Sequence, residues 1–105
     1  MDADTAVRTT LDLPRALVRV IGELDVQAAP RLAAALDEVI LAGATRVEVD
    51  LAQVPFVGAA ALGVLCGGRV RLTRSGGTLR VRAWSAVVER VCAAAGLSRA
   101  LGLAA

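Results

Sequence analysis

The stretch Val54-Pro55-Phe56-Val57-Gly58-Ala59-Ala60-Ala61-Leu62-Gly63-Val64-Leu65-Cys66 decides the fold. It leaves a strand-like run, crosses a glycine and becomes helical within a few residues. The turn between carries almost no side chains: Gly58, three alanines, then Gly63. Bare backbone at a helix N-terminus leaves N–H groups without intrahelical partners and lets another molecule approach closely. Such a turn suits an anion, a protein contact or close packing of the helix on a sheet. No side chain within it can do chemistry.

The flanking segments supply the rest of an α/β pattern. Upstream, Arg46-Val47-Glu48-Val49-Asp50-Leu51 alternates, with Val47, Val49 and Leu51 on one face of a strand. Downstream, Leu62, Leu65, Cys66 and Leu72 recur at helical spacing over about residues 59–74, and Ser75-Gly76-Gly77 ends that helix. Residues 78–83 alternate again as a strand. Residues 85–95 read as a helix with Val88, Val91, Cys92 and Ala95 on one face, and Leu97 to Leu101 allow one more turn. Toward the N-terminus, residues 6–12 and 16–22 read as two strands joined by a turn at Leu13-Pro14-Arg15. A helix is expected from about Gln27, with Pro30 in its first turn, Leu32, Leu36, Val39 and Ile40 as its stripe, and Gly43 as its end.

The order β-β-α-β-α-β-α predicts one domain over residues 1–105, with residues 1–5 flexible. Its mixed four-stranded sheet has an antiparallel first pair and right-handed parallel crossovers after it. Charged faces on the third and fourth strands predict that one side of the sheet is poorly covered.

Composition narrows the function. With 105 residues the chain can build a single modest core, and with one Phe and one Trp that core must be aliphatic. The acidic start Met1-Asp2-Ala3-Asp4 is not followed by an apolar run, and no stretch approaches the roughly 20 apolar residues of a membrane span. A cytoplasmic protein that does not insert into membranes is expected. Histidine is absent, which removes the commonest general base and metal ligand. Tyrosine is absent as well. We therefore expect no enzyme, no metal and no cofactor. All 12 basic residues are arginines and the net charge is only +2. Arg69, Arg71, Arg74, Arg80 and Arg82 form a basic concentration, but with so few aromatics it reads as solvated faces and not as a nucleic-acid site.

Five marks in order resemble a known family. They are Gly22-Glu23-Leu24-Asp25; Val49-Asp50-Leu51 with Val54 and Phe56-Val57; Leu62-Gly63-Val64-Leu65; Gly76-Gly77-Thr78-Leu79; and Ala95-Gly96-Leu97. Together they resemble the STAS domain and, within it, the bacterial anti-sigma factor antagonists, over about Val7 to Leu103. The resemblance implies a binding module that engages a small kinase-type anti-sigma factor and so releases a sigma factor. Its contact surface would comprise Glu23, Asp25, Val26, Gly58, Ala59, Ala60, Ala61 and Leu62. The family motif before the Leu-Gly pair reads Asp, Ser or Thr, Ser, Gly, and its second hydroxyl residue accepts phosphate from the kinase. Here Gly58, Ala59, Ala60 and Ala61 occupy those positions, so Ala60 stands where the acceptor would be. The resemblance then implies an antagonist or decoy without that switch, or a non-switching STAS subunit or scaffold of a transporter ATPase or stress-signalling complex. Other residues carry plainer readings beside these. Asp25 suits a helix cap as well as a partner contact, and Glu23 suits a solvated turn. Cys66 and Cys92 suit small core hydrophobes more than a redox pair.

Overall fold

A computed structural model describes residues 5–103. Strand β1 (Ala6–Asp12) and strand β2 (Arg15–Ile21) form an antiparallel hairpin, closed by a two-residue loop whose Leu13–Pro14 bond is cis. Helix α1 (Ala29–Leu41), strand β3 (Arg46–Gln53), helix α2 (Ala59–Arg74), strand β4 (Thr78–Trp84) and helix α3 (Ala86–Ala94) follow. The sheet order is β1-β2-β3-β4, with β2, β3 and β4 parallel. Element order, sheet type and pairing are those expected from the sequence. Of the five N-terminal residues expected to be flexible, 1–4 lie outside the described residues. Thr5 is buried and hydrogen-bonded.

One apolar cluster holds the domain together. Val18, Val20, Val47, Val49, Leu51, Leu79 and Val81 line one face of the sheet and are buried. Leu32, Leu36 and Val39 of α1, Leu62, Leu65 and Leu72 of α2, and Val88 and Cys92 of α3 complete it. The other face carries Arg8, Arg15, Arg19, Arg46, Glu48, Arg80 and Arg82, all exposed. Two cross-strand ion pairs lie there, Arg19 Nε to Asp50 Oδ2 at 3.3 Å and Arg82 Nη1 to Glu48 Oε1 at 3.9 Å. Exposed pairs of this kind contribute about 0–1 kcal/mol each, so burial on the helical face dominates.

Two element boundaries differ from the sequence reading for local reasons. Regular α1 begins at Ala29, after a turn over residues 26–28, because Pro30 has no N–H to continue the ladder backward. Strand β3 runs on to Gln53, which pairs with Ile21 across an irregularity after Arg19. After α3, the predicted extra turn is present: the Leu101 N–H donates to the Leu97 carbonyl at 3.0 Å. That turn brings the buried Leu101 against β4, where its carbonyl accepts the Val81 N–H at 2.7 Å.

Of the glycines among the described residues, Gly77 leaves the least room for a side chain. A Cβ there would stand 2.3 Å from the Thr45 carbonyl oxygen, and the next N–H, of Thr78, donates to that same oxygen at 2.8 Å. A side chain would have to displace backbone at the start of β4. Gly77→Ala is expected to destabilise the fold by about 1–3 kcal/mol, as overpacking does. Urea unfolding followed by Trp84 fluorescence measures it; unchanged stability would show that β4 can shift freely.

Candidate functional site

Two backbone segments meet beyond the carboxyl ends of β2 and β3, the end at which open α/β sheets place their sites. Gly22 has a φ of +116°, and a Cβ there would lie 3.1 Å from Thr5 Cα. The dihedral and the close approach both require glycine. The Gly22 N–H donates to the Gln53 carbonyl at 3.1 Å. Leu24 then forms an isolated parallel bridge with Val57. In it the Leu24 N–H donates to the Phe56 carbonyl at 2.8 Å, and the Gly58 N–H donates to the Leu24 carbonyl at 3.0 Å. The loop that opens α1 and the turn that opens α2 are therefore one backbone unit. Thr5 supports it from behind, its hydroxyl donating to the Glu23 carbonyl while Arg31 donates to the Thr5 carbonyl.

Asp25 is half-buried and its carboxylate acts on its own backbone. Oδ1 accepts the Gln27 N–H at 3.1 Å and the Ala28 N–H at 2.9 Å. It thus caps the turn leading into α1, the plainer of its two readings. Gly58 is the N-cap of α2 at φ −102° and ψ 173°, an extended conformation open to any residue. It supplies no side-chain cap, and the first turn of α2 contains no acidic residue.

The exposed surface here is apolar and small. Val26 is 73% exposed and Phe56 47%, and Ala59 and Ala60 are exposed beside them. Glu23 adds one exposed charge. Two residues expected on the contact surface are elsewhere: Ala61 and Leu62 are 0% and 8% exposed and belong to the core. The helical turn after Gly58 carries positions 61, 62 and 65 round to the sheet. Phe56 takes their place. Its exposure was legible in the spacing of Val54 and Val57, both buried, which turns the two residues between them outward.

Ser75 and Ser85 are engaged in hydrogen bonds, and both thiols are at least half-buried. The Ser75 hydroxyl donates to the Leu72 carbonyl at 3.1 Å, and the Ser85 hydroxyl donates to the Val54 carbonyl at 2.6 Å while accepting the Val88 N–H. Cys66 is half-buried and Cys92 buried, both as free thiols. Burial pushes the Cys92 thiol up, and the neighbouring Cys66 adds to this. Little Cys92 thiolate forms at neutral pH, which fits a core hydrophobe. Among the described residues no three His, Cys, Asp or Glu side chains gather as a metal site, and no helix is long and apolar enough to cross a membrane.

A mixed sheet covered on one face, with its first two helix starts clamped together beyond the strand ends, defines a small α/β domain of the STAS type. The family described as "Mlab, STAS domain" matches residues 7–103, and the chain belongs to the STAS domain family. No curated protein matches the sequence. Among solved structures, the fold is similar to an anti-sigma factor antagonist from Mycobacterium paratuberculosis, with a TM-score of 0.82 and 24% identity over 93% of this chain and 83% of that one. It is also similar to the anti-sigma factor antagonist SpoIIAA in its unphosphorylated form, with a TM-score of 0.80 and 21% identity over 90% of this chain and 84% of that one. The phosphorylated form of the Bacillus cell fate determinant SpoIIAA matches with a TM-score of 0.73 and 21% identity over 90% and 86% of the two chains.

Two outcomes follow from this geometry. A Cβ at Gly58 would meet the Phe56 ring at 3.5 Å, an ordinary contact, so a side chain fits there. Gly58→Asp gains a cap and a charge that complements the helix dipole, and is expected to stabilise the fold by about 0.5–1 kcal/mol in a thermal melt. A fall in stability would place the start of α2 differently. The second outcome concerns alkaline pH, where the absence of Lys and Tyr leaves the thiols as the main titrating side chains. Cys92 holds its proton more tightly folded than unfolded, so its contribution is intact below the ordinary value of 9.0 and is lost as pH rises through the higher native value. Urea titrations between about pH 7 and 11 should show this loss in the wild type and a flatter profile in Cys92→Val.

Proposed function

We propose that this chain is a protein-binding regulator and not an enzyme. It engages a kinase-type anti-sigma factor in the bacterial cytoplasm, releases a sigma factor, and is not switched by phosphorylation at position 60. The contact surface is Glu23, Val26, Phe56, Gly58, Ala59 and Ala60, with Asp25 shaping the loop from within. The observation that carries this reading is the exposed methyl of Ala60 on the uncapped start of α2, which the backbone bridge joins to the segment bearing the exposed Val26. Family membership and the fold shared with named antagonists support it.

The physical content of the missing switch is a charge difference. A phosphate at position 60 would bring about −1.5 to −2 charges onto an apolar contact surface. Ala60 offers no oxygen to receive it, so the surface keeps one state. That permanence also suits a second reading, a non-switching STAS subunit or scaffold of a transporter ATPase or stress-signalling complex. The exposed aromatic and aliphatic residues suit either partner, since such side chains commonly anchor protein interfaces.

Affinity capture from the native cytoplasm, with bound proteins identified by mass spectrometry, separates the two. Recovery of a small ATP-binding kinase whose complex persists with ATP is the expected result; recovery of a transporter ATPase instead would replace the first reading with the second. Val26→Asp should abolish capture without loss of fold. The double variant Gly58→Asp, Ala60→Ser should acquire one phosphate from the captured kinase, read by intact mass.

A further inference from the structure

At the outer edge of β4 a cleft of about 300 Å³ lies between the second half of α2 and the segment that follows α3. Three arginines line it from three separate elements: Arg69 of α2, Arg80 of β4 and Arg99 of the C-terminal segment. Two threonines, Thr73 and Thr78, line it as well, and no carboxylate does. Among the described residues, none of the three arginines makes an ion pair, whereas Arg19, Arg71 and Arg82 each have a carboxylate partner.

This convergence is not what solvated arginines require. Like charges held together repel, and no carboxylate among the residues lining the cleft offsets them. The negative end of α2 accounts for Arg71 and Arg74, which occupy its last turn, but that effect fades beyond one turn and does not reach the remaining three. Arg80 is also held in place. Gly102 has a φ of +87°, and a Cβ there would lie 3.3 Å from Arg80 Cβ and 3.1 Å from its Nε. The arginine stem therefore lies along bare backbone of the C-terminal segment, with less side-chain freedom left to lose when a ligand binds.

We infer that this cleft is a binding site for a compact multivalent phosphate anion of the diphosphate class. Planar guanidinium groups donate paired hydrogen bonds to phosphate oxygens, and hydroxyls complete the shell of a tetrahedral oxyanion. A volume at the lower end of the roughly 300–1,000 Å³ of ligand sites suits the anion itself more than a whole nucleotide. The site lies at the β4 edge, apart from the surface around Ala60, and does not depend on the partner proposed for that surface.

Pyrophosphate, titrated calorimetrically into the full chain at about 0.15 M salt, is the probe. One-to-one binding is expected, weakened about tenfold or more in Arg99→Ala, since hydrogen bonds to charged groups are worth that much. Arg74→Ala, on the same helix but outside the cleft, should bind as the wild type does. Without anion, Arg99→Ala should melt no lower than the wild type, because it relieves repulsion and removes no ion pair. Adenosine diphosphate should bind no more tightly than pyrophosphate; tighter binding by about tenfold or more would overturn the assignment to the anion alone. Absence of heat up to about 5 mM pyrophosphate, or equal weakening in Arg74→Ala and Arg99→Ala, would overturn the site itself.

Discussion

A single parallel bridge, Leu24 to Val57, governs the end of this molecule at which the first two helices start. Its two hydrogen bonds extend the sheet for one residue beyond the regular strands, after each chain has left the ladder. Because the bridge lies just before both helix starts, it sets where α1 and α2 emerge relative to each other. Everything exposed at that end inherits its placement from this pair: Val26 on one segment, Phe56 and the alanines on the other. Glycine at position 22 is part of the same constraint, since only a residue without Cβ can turn there against Thr5.

The sheet divides the molecule into two chemically unlike halves. On one face β-branched and leucine side chains alternate inward and meet three helices; on the other, arginines and acids stand in water. Alternation explains how this follows from sequence, since a period of two gives each strand one buried and one solvated side. It also explains why so alanine-rich a chain can fold. The alanines in the helices allow close approach to the sheet, and the strands supply the larger aliphatic groups.

Strand and helix order were legible because the periodicities are strong. Strands β1 and β4 and helix α2 are nearly as the alternation and helical spacing indicate, and the antiparallel first pair followed from the short turn at Leu13-Pro14-Arg15. The site was legible in part. The loop at Leu24 and the turn at Gly58 do meet, but through a backbone bridge that no side-chain pattern encodes. Ala61 and Leu62 were misplaced on the surface because a motif is contiguous in sequence, whereas a helix turns each residue about 100° from the one before, so a run of five cannot share one face. The role of Thr5 left no trace at all, since one hydroxyl near the N-terminus has no pattern to belong to. The gathering of Arg69, Arg80 and Arg99 likewise depends on the path of the C-terminal segment, while the sequence shows only their abundance.

That C-terminal path also bears on the outer edge of the sheet. A sheet edge with free N–H and C=O groups is a template on which another chain can add a strand. Along β4 the Leu101 carbonyl already occupies the Val81 N–H, and the buried Leu101 side chain anchors the segment that delivers it. The segment thereby fills, with a few residues of its own chain, one ladder position on the β4 edge that a foreign strand would otherwise use.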